Sequence, residues 1–160
     1  MKNRFLYLMP LALGLTLAGC KKDSPGTPTP TASKADLLTA KKWRTSASTT
    51  TTTYNNQTST SDDYASMSSC ERDNFTQFNT NKTAVFDEGA TKCNSSDPQT
   101  TNGTWDLNSD QTKLNLTDPD LGGLVIPFEI VTLDASTLSL RFTQSASGVT
   151  GITNITFKSF

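Results

Sequence analysis

Thr104-Trp105-Asp106-Leu107, then Asn108-Ser109-Asp110, then Lys113-Leu114-Asn115-Leu116 is the stretch that decides the fold of this chain. Apolar and polar side chains alternate on both sides of a cluster of turn formers, the pattern of two half-buried strands joined in a hairpin. Moving outward, the same pattern recurs. Phe75 to Phe78 and Thr83 to Asp87 flank Asn79-Thr80-Asn81-Lys82, Val125 to Leu133 and Thr137 to Thr143 flank Asp134-Ala135-Ser136, and Ile152 to Lys158 closes the chain. Trp43 to Tyr54 opens the set and contains the five threonines Thr49 to Thr53, whose β-branching suits an extended backbone. The same threonines also fit the start of a disordered loop reaching Asp62-Asp63. Eight strands in adjacent hairpins predict an all-β domain, an antiparallel up-and-down meander closed into a barrel or folded into a sandwich. Ser33-Lys34-Ala35-Asp36 reads as a helix start, with Ser33 as cap and an acid in the first turn, and predicts a short N-terminal helix over roughly Lys34 to Ala40.

Alternation also assigns an interior. Phe78, Ala84, Phe86, Trp105, Leu107, Leu114, Leu116, Phe128, Ile130, Leu138, Leu140, Phe142, Ile155 and Phe157 share the inward parity, and Trp43 closes one end. An eight-stranded barrel has just enough interior to be filled by side chains or to hold one small ligand. Both readings stand at this point, a packed core and an open cup. If the barrel is a cup, Trp43, Phe86, Trp105 and Phe128 are the candidate ligand-binding residues.

Composition excludes several functions. The chain has 160 residues, 14 basic and 15 acidic side chains, and no histidine. Without histidine there is no Ser-His-Asp or Cys-His catalysis and no imidazole-ligated zinc. The slightly acidic balance gives no electrostatic reason to expect nucleic acid as a partner. No phosphate-binding glycine loop or nucleophile elbow is present, so no cofactor and no enzyme activity are expected.

The N-terminal residues read as an address. Lys2 and Arg4 precede an apolar run from Phe5 to Leu15 that Pro10 interrupts, too short for a membrane-spanning helix and of the form of a secretory leader. Leu17-Ala18-Gly19-Cys20 resembles the lipobox of bacterial lipoproteins, in which cleavage precedes the cysteine and its thiol is lipidated. That resemblance implies a leader over 1–19 and a lipid anchor on Cys20. Ser24-Pro25-Gly26-Thr27-Pro28-Thr29-Pro30-Thr31 then reads as part of a tether over 20–33, ahead of a barrel domain over 34–160. Lys21-Lys22-Asp23-Ser24 lacks an aspartate directly after the cysteine and resembles part of the surface-export signal of Bacteroidetes lipoproteins. The expected location is the outer membrane of a Gram-negative bacterium, facing the periplasm or the cell surface.

With Cys20 lipidated, Cys70 and Cys93 remain as a pair in an oxidising compartment, where a disulfide is the natural reading and redox-active free thiols the alternative. Asp62, Asp63, Glu71, Asp73, Asp87, Glu88 and Asp97 gather around that pair, but no Asp-x-Asp-x-Asp-Gly calcium loop accompanies them. Asp87 and Glu88, as strand neighbours, point to opposite faces and do not form a glycosidase pair.

An ordered set of residues carries a further resemblance: Leu37-Leu38 with Lys42-Trp43, Cys70 with Asp73-Asn74 and Phe78, Phe86-Asp87-Glu88-Gly89-Ala90-Thr91-Lys92-Cys93, Gly103-Thr104-Trp105 and Leu114-Asn115-Leu116. From Leu37 to Phe160 the chain resembles the lipocalin-like domain of Bacteroidetes lipoproteins. It departs from a compact member in the Ser/Thr-rich insertion from Thr45 to Ser69 and at Gly122-Gly123. The resemblance implies a lipocalin-type eight-stranded barrel but no particular ligand. Two functional expectations follow. One is an envelope lipoprotein binding a small hydrophobic ligand; the other is a solid-cored interaction module contacting glycan or another envelope protein.

Overall fold

The computed structural model describes residues 32–119 and 122–160. The expected leader over 1–19, the expected lipidation site Cys20 and the Pro/Thr tract lie outside the described residues. Helix α1 (Lys34–Thr39) is followed by nine strands: β1 (Lys42–Tyr54), β2 (Gln57–Asp62), β3 (Phe75–Phe78), β4 (Thr83–Asp87), β5 (Thr100–Leu107), β6 (Lys113–Thr117), β7 (Val125–Leu133), β8 (Thr137–Ala146) and β9 (Val149–Ser159). Two single-turn helices, α2 (Asp63–Ser66) and α3 (Ser69–Arg72), stand between β2 and β3.

All pairings are antiparallel. From β3 to β9 each strand pairs with the next, and β9 returns to pair with β1, which also pairs with β3. Eight strands therefore close a barrel, and the meander alternative to a sandwich is resolved. The ninth strand, β2, is additional. The expected eight-stranded barrel is present, and β2 lies outside that expectation because Gln57-Thr58-Ser59-Thr60-Ser61-Asp62 has no apolar residue whose alternation would mark it. Its cue is the Asn55-Asn56 pair, which turns between β1 and β2 with φ of 49° and 59°, the left-handed conformation that asparagine tolerates. The threonine run is thus strand throughout.

β1 serves two sheets in succession. Lys42, Trp43 and Arg44 pair with β3, while Thr49 to Tyr54 pair with β2. The register shift between Thr45 and Ala47 lets the strand bend between these roles while it stays paired with β9. β7 pairs with β8 only up to Arg141, so the rest of β8, with β9, β1 and β2, extends as a four-stranded ribbon beyond the barrel wall.

The core occupies the end of the barrel where β1 begins. Leu38 of α1 joins Trp43, Phe78, Ala84, Trp105, Leu114, Leu138 and Leu140 in the buried cluster, with Phe86, Leu107, Leu116, Phe128, Ile130 and Phe157 packed against it. The Phe78 and Trp105 rings meet edge to face at 5.7 Å. Each tryptophan finds an acceptor for its N–H. Trp43 Nε1 donates to the Leu38 carbonyl at 2.9 Å, and Trp105 Nε1 to the Asn79 carbonyl at 3.0 Å. α1 plugs this end, with Lys34 Nζ donating to the Gln111 carbonyl on the turn between β5 and β6.

Candidate functional site

The opposite end of the barrel is formed by the start of β3, the end of β4, the start of β5 and the end of β6, and it is hollow. A cup of about 500 Å³ opens there. Its lower wall comes from the inward positions of four strands, Trp43 and Thr45 on β1, Phe86 on β4, Thr101 on β5 and Phe157 on β9. Trp43 is fully buried and backs the cup from below, so the apolar surface within reach is that of Phe86 and Phe157, together with Phe75 and Pro98. Asn74, Asp87, Glu88, Asp97, Gln99 and Asp118 line the mouth.

Gly103 makes room for this arrangement. Its α-carbon faces inward opposite Ala84, and a Cβ there would stand 1.8 Å from the Thr117 carbonyl oxygen and 3.0 Å from the Phe86 ring. Only glycine lets β5 pass so close to β6 beneath Phe86.

The mouth is held rigid by the segment from Phe86 to Cys93. Cys70 of α3 is bridged to Cys93, with Cα atoms 5.2 Å apart. Asp73 Oδ2 accepts from the Ala90 and Thr91 N–H groups at 3.1 and 3.0 Å. The Asn74 amide, assigned with its nitrogen toward the two carbonyls, donates to Cys70 O at 2.9 Å and to Glu88 O at 2.8 Å. Asp87 Oδ1 accepts from Gly89 N–H at 2.9 Å and from Gln99 Nε2 at 2.8 Å, while Gln99 O accepts from Glu88 N–H at 3.0 Å. Gly89, at φ 71°, sits so close that a Cβ would be 2.4 Å from the Asp73 carbonyl oxygen. The disulfide and these bonds fix the rim before any ligand arrives.

Of the four aromatic residues expected to line a cup, Trp43 and Phe86 belong to its wall. Trp105 is on the far side of the core against Phe78, and Phe128 lies beside Phe142 at 5.7 Å; neither lines the cup. Phe157, on the inward list but not chosen as a ligand contact, does line it. Asp118 carries no signal in the sequence because it follows β6 in a loop, where periodicity assigns no face. Among the described residues no three His, Cys, Asp or Glu side chains stand together as a metal-holding group. The lining offers hydroxyls, amides, carboxylates and aromatic rings, a set suited to holding a molecule.

No protein-family model matches this sequence, and the search of curated proteins returns no match.

Proposed function

We propose that this chain is a non-enzymatic carrier lipoprotein of a bacterial envelope. In this reading a lipocalin-like barrel, anchored in the outer membrane through lipid on Cys20 and the Pro/Thr tether, takes one small molecule with an apolar body into its cup. The observation that carries the reading is the cup itself. It is a hollow of about 500 Å³ with Phe86 and Phe157 in its floor, at the open end of a barrel whose other end is plugged by α1. That size falls within the range of small-molecule sites. The Leu17-Ala18-Gly19-Cys20 sequence supports the anchor, since one lipid chain binds a bilayer reversibly and two or more hold firmly.

A Cys20→Ser chain purified without detergent from an oxidising compartment tests both parts. It leaves the membrane fraction if Cys20 is the anchor. Native mass spectrometry then shows a reproducible adduct of small-molecule mass, lost on denaturation. A protein that stays with the membrane contradicts the anchor, and one that neither carries an adduct nor takes up an apolar fluorescent probe contradicts the carrier.

One observation favours the interaction-module reading. The outer face of the ribbon carries paired hydroxyls, Thr51 with Thr60 at 3.0 Å, Thr53 with Thr58 at 3.1 Å and Ser145 with Thr150 at 3.1 Å. Such a polar ladder suits contact with glycan.

A further inference from the structure

Acidic residues stand in the lining of the cup. Asp87, Glu88, Asp97 and Asp118 contribute to it, and among the described residues no lysine or arginine does. Strand alternation explains where the nearest bases have gone. Lys42 and Arg44 flank Trp43 on β1 and therefore face outward, where Lys42 Nζ sits 4.2 Å from the Phe75 ring centroid and the Arg44 guanidinium 4.3 Å from that of Phe160. Lys92, the base within the rim segment, gives its ammonium to the backbone carbonyls of Ser95 and Asp97. The Arg141–Glu129 ion pair bridges β7 and β8 and takes no part in the lining. Asp87, Glu88 and Asp97 thus form no ion pair among the described residues.

We infer that the cup selects an organic cation with an apolar body, an amphipathic amine or quaternary ammonium whose charge meets the carboxylate mouth while its body rests on Phe86 and Phe157. This deepens the carrier reading above and rests on it. In a recess partly shielded from water, carboxylates attract a cation more strongly than they do at an open surface, and aromatic faces add to that attraction. An anion of the same shape meets like charge. A neutral molecule gains only its apolar burial. A metal ion is poorly served, because the carboxylates do not converge as a ligand set.

The test uses the Cys20→Ser chain and three probes that share one body, phenylbutylamine, phenylbutanol and phenylbutyrate, titrated by calorimetry at low salt. The ammonium is expected to bind about tenfold more tightly than the alcohol, a gap that narrows as salt is raised, with phenylbutyrate weakest. Glu88→Gln keeps the side chain's size and leaves untouched the backbone N–H that Gln99 receives. It should remove most of the ammonium's advantage while the alcohol binds as before. Asp97→Asn provides a second variant with the same expectation, and circular dichroism checks that both fold. Equal binding of alcohol and ammonium, or preference for phenylbutyrate, overturns the charge selectivity and leaves the carrier reading standing. No binding by any of the three overturns both.

Discussion

At Gly103 the barrel has no space for even one methyl group, because the Thr117 carbonyl lies where a Cβ would go and backbone cannot step aside cheaply. Gly103→Ala is therefore expected to destabilise the domain by about 3 kcal/mol or more, at the upper end of overpacking costs. Urea unfolding followed by tryptophan fluorescence measures it, and a change under about 1 kcal/mol would mean that β5 and β6 lie further apart than described. The residue next but one, Trp105, shows what a sequence can and cannot say at this scale. Its inward parity was legible from Thr104-Trp105-Asp106-Leu107, and it is buried at 2% exposure. Its height along the barrel axis was not legible, since parity chooses a face and says nothing of depth. Trp43 and Phe86 line the cup whereas Trp105 lies in the plugged end, although all three share one parity.

At the scale of elements, hydrophobic alternation read seven of the eight barrel-closing strands from their apolar residues and left β1 open between strand and loop. Polar stretches defeated it elsewhere. β2 has no apolar residue, and β5 begins at Thr100 rather than Thr104 because Thr101, Asn102 and Gly103 give no period-two contrast. The rim segment was legible in part. Cys70 and Cys93 announced their pairing, whereas the Asp73 and Asn74 bonds across to residues 88–91 depend on a loop conformation no periodicity encodes. Replacing both cysteines by serine should cost roughly 3 kcal/mol, since the bridge closes a loop with a sequence separation of 23. Comparing the urea midpoints of the oxidised protein and the double variant measures this; coincident midpoints would show that the bridge does not restrain the unfolded chain.

For the whole molecule, the distribution of carboxylates sets the response to pH. The Ser33 hydroxyl and N–H hold Asp36 below its ordinary value of 3.8, Thr50 and Ser61 hydroxyls do the same for Asp63, and the Thr112 hydroxyl and N–H for Asp110. The Ser68 N–H and hydroxyl lower Glu71 from its ordinary 4.5, and the Ser136 N–H and hydroxyl lower Asp134. Each group binds its proton more weakly in the folded chain than in the unfolded one. Their contribution is thus complete above the ordinary values and is lost as pH falls through the lowered ones. Asp36, Glu71, Asp110 and Asp134 are solvent-exposed and Asp63 is half-buried, which keeps each contribution small. With no histidine in the chain, the melting temperature should be flat between about pH 6 and 8 and decline below about pH 4. Thermal circular dichroism across that range checks it, and a sharp step near neutrality would contradict the account.

The central claim concerns where a ligand goes, and amide chemical shifts report it residue by residue. Titrating the isotope-labelled Cys20→Ser chain with phenylbutylamine, phenylbutanol and phenylbutyrate in turn should produce saturable shifts at Thr45, Thr76, Phe86, Thr101 and Phe157, the residues around the cup, with the plugged end around Leu38 and Trp105 unmoved. An absence of saturable shifts with all three, or shifts confined to Thr51, Thr53, Thr58 and Thr60 on the ribbon, would contradict a ligand-holding barrel.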